Sequence, residues 1–151
     1  MRTIIVAGPD AWDVVEKLVR ELLTELGEEG RELGTLNPRV RTLWEARPNL
    51  MSAVIAFGDD GEPIGLLTLS EGFAIYANGL YGTILEMYVV PQARSSGVGR
   101  RLIERAVEIG HERGWSRIDV TAPESAAWDR TVRFYRSCGF SPAGPKLKKP
   151  L

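Results

Sequence analysis

The sequence predicts an α/β sandwich built on a mixed sheet, in one domain. Three observations carry that reading. Short β-like runs alternate with helical stripes, the strands of the first half are joined by hairpin signals, and those of the second half are separated by helices of crossover length. The 151 residues fit one domain rather than two, and a globule of that size buries enough surface to need no disulfide or metal staple. Residues 1–151 are therefore read as a single domain.

Thr3 to Ala7 reads as a short buried strand stopped by Gly8-Pro9-Asp10. Asp10 or a close neighbour then caps a helix whose stripe is Val15, Leu18, Val19, Leu22, Leu23 and Leu26, with Gly27 as its stop. Gly27 to Leu36 is a polar loop. Asn37-Pro38 supplies a cap and a first-turn proline for a second helix, with Val40, Leu43 and Trp44 on one face until Pro48. Leu50 to Phe57 and Ile64 to Ser70 are strands joined by Gly58-Asp59-Asp60-Gly61, a hairpin connection.

Gly72 to Gly82 reads as a loop rich in glycine and aromatic residues, and Thr83 to Val90 as a strand closed by Pro91. Gly97 to Arg113 is a helix with Val98, Leu102, Ile103, Ala106 and Val107 inward, stopped by Gly114. Arg117 to Thr121 is a strand, and Ala126 to Ser137 a helix ended by Gly139. Pro142, Pro145 and Pro150 leave room only for a short edge strand after it.

Composition excludes several functions. The formal net charge of −1 gives no general attraction to phosphate backbones or anionic membranes, so neither nucleic acid nor membrane is an expected partner. One cysteine, Cys138, forms no internal disulfide, and no Cys/His cluster has metal spacing, so no metal site is expected. His111 is the single histidine. It falls at a helix C-terminus, where the dipole favours a surface imidazole. No run approaches the roughly 20 apolar residues of a membrane span. Met1 to Gly8 is too short and too little charged for a secretory signal. A cytoplasmic location follows as the expectation.

The chemistry concentrates between Leu85 and Phe140. A strand runs into Pro91, then Arg94-Ser95-Ser96-Gly97-Val98-Gly99, then a long helix. Gly97 and Gly99 stand where the first N–H groups of that helix lack partners, and without Cβ atoms they let an anion approach the positive end of its dipole. Arg94 and Arg100 or Arg101 add charge at the same place. A pyrophosphate suits such a site, although a tight turn needing glycine explains the same residues.

Arg94-x-x-Gly97-x-Gly99 in that setting resembles the acyl-CoA pyrophosphate loop of the GNAT superfamily of N-acetyltransferases, which reads Gln/Arg-x-x-Gly-x-Gly/Ala. Downstream, Phe134-Tyr135-Arg136-Ser137-Cys138-Gly139-Phe140 is similar to the family's Phe-Tyr-x-x-x-Gly-Phe helix end. The resemblance implies a mixed, mostly antiparallel central sheet of six or seven strands flanked by about four helices. It also implies acetyl-CoA as co-substrate, bound by Met87, Tyr88, Val89, Arg94, Ser95, Ser96, Gly97, Val98, Gly99 and Arg100. The sequence departs from the family where an asparagine often lies seven residues before the tyrosine, since Trp128 stands there.

The implied reaction is direct acetyl transfer to an amine with no covalent enzyme intermediate. Neutralising an alkylammonium of pKa about 10.4 at pH 7 costs roughly 4–5 kcal/mol, which a general base offsets. Glu86 is the candidate base, directly or through water, although an acid on a half-exposed strand also simply faces solvent. A backbone N–H between Met87 and Val90 is the candidate donor to the thioester oxygen. Tyr135 is the candidate acid for the leaving thiolate, against the plainer reading of a packed core tyrosine.

For the acceptor, Glu28 and Glu32 suit a cationic amine, and Tyr76 and Tyr81 an apolar or cation-π wall. A small, polyamine-like primary amine leads, with a peptide α-amine or lysine behind it. A non-catalytic acyl-CoA-binding protein of the same fold is the alternative. A dinucleotide-binding domain is a further rival, since Asp119 ends a strand about twenty residues after Gly99, but Leu102 fills the third glycine position. Many family members are homodimers, so a homodimer is an expectation that rests on the resemblance alone.

Overall fold

The computed structural model describes residues 3–27, 36–121, 129–144 and 146–151. The elements in chain order are β1 (Thr3–Ala7), α1 (Trp12–Glu25), α2 (Pro38–Ala46), β2 (Ser52–Phe57), β3 (Pro63–Ala74), β4 (Gly79–Val89), α3 (Val98–Arg113), β5 (Ile118–Val120) and α4 (Asp129–Ser137). The strands lie side by side in the order β1-β2-β3-β4-β5. The sheet therefore has five strands among the described residues, not six or seven. The short proline-rich run after Gly139 forms no strand where it is described. The chain divides into two compact units, Met1–Asp119 and Val120–Leu151.

Strands β1 to β4 pair antiparallel. Between β4 and β5 the partners rise together, with Ser116 N–H on Leu80 and Gly82 N–H on Arg117, each at 3.0 Å. That is the sense of a parallel approach after a helical crossover. The core sits in β2 and β3, where Ala53 to Ala56 and Leu66, Leu67 and Leu69 are buried. Two layers of helix cover it. On one face Gly65 makes room for α3, because a Cβ there would stand 3.0 Å from Val98 Cγ1 and 3.1 Å from Leu102 Cδ1. On the other lies α1, whose Trp12, Val15 and Leu18 are buried.

Several local expectations need correction. β1 is an edge strand and half-exposed, with Ile5 and Val6 at 40% and 41% exposure, because it pairs with β2 alone. Asp10 does not cap α1; a 3-10 turn at Pro9–Ala11 leads in, and Ala11 takes the cap position with no side-chain bond. Asn37 does cap α2, accepting from Arg39 N–H at 3.0 Å. Only Trp44 of the expected face of α2 is buried.

Gly72 to Gly82 is not a loop. Gly72 pairs with Tyr81 and Ala74 with Gly79, so β3 and β4 run on as a long hairpin. The Tyr81 ring covers Gly72, where a Cβ would lie 2.9 Å from it. No helix among the described residues is long and apolar enough to cross a membrane.

Candidate active site

β4 delivers the chain to the loop that was expected to hold an anion. Val90 is extended before Pro91, as a pre-proline residue should be, and a 3-10 turn at Pro91–Ala93 follows. Ser95 (φ 63) and Gly97 (φ 86) are both left-handed. Two left-handed residues so close together bend the backbone sharply just before the helix, the kind of turn in which backbone N–H groups can gather around an anion. The Ser96 hydroxyl donates to the Ala93 carbonyl and ties the turn. Gly97 is the cap residue of α3, its carbonyl accepting from Arg101 N–H at 3.1 Å. Nothing lies within 4 Å of where a Gly97 Cβ would stand. Packing does not demand this glycine; the left-handed backbone and open access do.

The ten residues expected around acyl-CoA divide by what they present. Val98 turns its side chain into the core, so only its backbone belongs to the loop. Val90 N–H donates to Ile64 at 3.0 Å. By antiparallel alternation the Tyr88 backbone pairs with Leu66 of β3, while backbone groups of Met87 and Val89 point to the other edge, toward β5. The Tyr88 side chain is buried and faces α1. Burial raises its phenol above the usual range, and Glu21 and Glu25 add to the effect.

Arg94 differs from expectation. Its guanidinium makes a two-pronged contact with Glu25 at 2.7 and 2.5 Å, and its Nε donates to the Val89 carbonyl at 2.9 Å. Arg100 is exposed on the first turn of α3, and Gly99 beside it is partly buried.

Glu86 sits at a β-bulge. Leu67 pairs with Met87 but Leu69 pairs with Ile84, so Leu85 and Glu86 together oppose Thr68. The buried Thr68 hydroxyl fills the gap in the ladder. It accepts from Glu86 N–H at 2.9 Å and donates to the Glu86 carboxylate at 2.5 Å. The carboxylate is thereby held in one place on a half-buried strand instead of trailing in solvent. Sequence reading missed Thr68, although a threonine between Leu67 and Leu69 was a visible break in an apolar run.

Tyr76 and Tyr81 come together, rings 6.4 Å apart, but a cation already stands on them. Arg117 lies 4.9 Å from the Tyr76 ring and 5.9 Å from that of Tyr81, and pairs with Asp119 at 2.9 Å. The neighbouring Tyr76 phenol is the first cause holding Tyr81 above the usual phenol range. Glu28, Glu32 and Trp128 lie outside the described residues.

In the second unit α4 ends in a turn made by Gly139 (φ 95), which brings Phe140 back so that its N–H reaches the Tyr135 carbonyl at 3.1 Å. The Phe140 ring meets the Tyr135 ring edge-on at 5.6 Å. That is what the Phe-Tyr-x-x-x-Gly-Phe spacing builds. Burial, with Cys138 as a lesser cause, pushes the Tyr135 phenol up to about 12.

Comparison with known proteins identifies the fold and the family. An IAA acetyltransferase of Azospirillum brasilense is 36% identical over 141 residues, spanning 88% of this chain and 80% of that protein. Among solved structures, an aminoglycoside acetyltransferase from an uncultured soil sample, in complex with trehalose, matches with a TM-score of 0.82 at 17% identity. The match covers 99% of this chain and 96% of that one. A GCN5-related N-acetyltransferase from Ralstonia eutropha matches with a TM-score of 0.81 at 20% identity, covering 100% and 99%. At those identities the two structures speak for the fold alone. The acetyltransferase (GNAT) family profile matches residues 15–140, and the chain belongs to that family as an N-acetyltransferase.

Proposed function

We propose that the protein transfers the acetyl group of acetyl-CoA to the primary amine of a small molecule, by direct attack in a ternary complex. The observation that carries the donor half is the pair of left-handed residues, Ser95 and Gly97, opening α3 directly after β4. The loop backbone, with Ser95, Ser96, Gly97, Val98, Gly99 and Arg100, is suited to a pyrophosphate. Met87 and Val89 face the edge along which the acyl arm is proposed to lie. The Met87 N–H, next to the bulge, is the donor proposed for the thioester oxygen, where negative charge grows as the amine attacks.

Glu86 is proposed to take the proton of the attacking ammonium, directly or through a water. Its bond from Thr68 fixes the carboxylate and leaves its second oxygen for that task. Tyr135 is proposed to serve the leaving sulfur. With its phenol at about 12, full transfer of its proton to a thiolate of pKa near 8.5 runs uphill by roughly 5 kcal/mol. Tyr135 is thus assigned a hydrogen bond that stabilises the thiolate rather than complete proton donation. Tyr135→Phe is expected to lower the acetyl-transfer rate about 10- to 10³-fold while leaving acetyl-CoA affinity within about twofold. In the parent, the rate should show no falling limb from this phenol below about pH 11. An unchanged rate in the variant removes Tyr135 from the reaction.

On the acceptor, the aminoglycoside acetyltransferase named above supports a small amine by fold likeness. The polyamine-like class rests on the sequence reading of Glu28, Glu32 and the tyrosine pair. Arg117 already occupies the faces of Tyr76 and Tyr81, so an acceptor cation using that wall must displace it. A neutral or anionic part of an acceptor fits there without that cost. Residues 1–151 are proposed to act as one cytoplasmic domain, with a homodimer as its proposed assembly. Calorimetric titration with acetyl-CoA, with NAD as control, tests the donor site, and a panel of diamines, aminoglycosides and peptide α-amines follows. Binding without turnover on the panel favours the non-catalytic alternative; binding of NAD instead overturns the reading.

A further inference from the structure

We infer that Arg94 is a positioning residue that holds the acyl-CoA loop in shape through Glu25, rather than a ligand of the pyrophosphate. The inference rests on the acyl-CoA reading above and assigns a role within that site. Three segments meet at the guanidinium. Arg94 itself belongs to the loop, its Nε holds the Val89 carbonyl at the end of β4, and its two terminal nitrogens hold both oxygens of Glu25 in the last turn of α1. Planar, two-pronged contact fixes direction as well as distance.

Two further observations agree. Glu25 is an acid at a helix C-terminus, where the dipole disfavours negative charge. Such a residue gains from a cation brought to it, and Arg94 is that cation. The Arg94 guanidinium also lies 5.6 Å from the centre of the Tyr88 ring, and after burial itself, Glu21, one turn back on α1, is among the charges that hold the Tyr88 phenol above its usual range. Arg94 and Glu25 neutralise each other, so a phosphate nearby meets a paired guanidinium. The strength of the loop as an anion site then comes from its backbone N–H groups, kept in register by the pair. Loss of the pair releases the loop, and binding must supply the ordering that was built in.

The two roles for Arg94 predict opposite signs. Were the guanidinium a pyrophosphate ligand, Glu25→Gln would free it and tighten CoA binding. In a positioning role the same change weakens binding. Arg94→Lys keeps the charge and loses the fork. Calorimetric titration of the full chain with CoA is expected to show each single variant binding roughly 3- to 10-fold more weakly than the parent. The double variant should be no weaker than the worse single one, because both changes break one contact. Amide exchange at Ser96 to Gly99 in the free protein should speed up in both single variants.

Unchanged or tighter binding by Glu25→Gln overturns the inference. So does parent-like binding by Arg94→Lys, or two losses that multiply in the double variant. A parent protein that binds no CoA overturns the acyl-CoA reading itself, which is a separate result.

Discussion

Gly97→Val is expected to weaken acetyl-CoA binding by about 100-fold, or roughly 2.8 kcal/mol. Two costs combine. A β-branched residue at φ 86 is strained by about 1–3 kcal/mol, which the loop relieves by shifting its N–H groups. The added methyl groups also enter the open space through which an anion approaches, since nothing of the protein lies within 4 Å of the Cβ position. Gly114→Val is the matched control. Gly114 is left-handed too (φ 73), has equally open surroundings, and closes the far end of α3. Both variants should lose similar stability, and only the first should lose affinity. Calorimetry on the two decides between a ligand loop and a plain turn; equal affinity in Gly97→Val and the parent would leave only the turn.

The second large effect concerns stability. Gly82→Ala is expected to destabilise the fold by about 3–5 kcal/mol, because its Cβ would stand 2.2 and 2.4 Å from Cζ3 and Cε3 of Trp115. The indole has little room to retreat. Gly110 receives it from α3, where a Cβ would lie 3.1 Å away, and its Nε1 donates to the Glu71 carboxylate at 2.7 Å. Moving the ring therefore costs a hydrogen bond to a charged group as well as packing. A melting temperature lower by about 10 °C should follow. Trp115→Leu lacks the colliding ring, so Gly82→Ala placed on that background should add little further loss. A full additional loss there would mean that Gly82 is required for some reason other than Trp115.

What sequence reading captured and what it missed differ in range along the chain. Asn37-Pro38, Gly58 to Gly61, Gly97, Gly114 and Gly139 act on their immediate neighbours, so each announces its turn or helix end where it stands. The bulge at Leu85 and Glu86 was invisible because its cause is Thr68, eighteen residues away on another strand. The pairing of Arg94 was invisible because its partner Glu25 lies 69 residues earlier. The glycines between Gly72 and Gly82 suggested a loop. In the sheet their missing side chains are replaced by those of others, Tyr81 over Gly72 and Trp115 over Gly82. Spacing reveals a site's turns, and only the fold reveals which charges are already paired.

β1 has a consequence for the order in which the sheet is secured. Pairing Ala7 with Ala53 closes everything between them, whereas β2 and β3 are joined across residues 58–62. The longer closure costs roughly 2 kcal/mol more in chain entropy. β1 recovers it through a single neighbour and five residues, with Ile5 and Val6 still partly wet. The β2–β4 meander does not depend on β1 for its own pairing, so opening is expected to begin at β1. Its backbone amides should exchange with solvent well before those of β2 and β3.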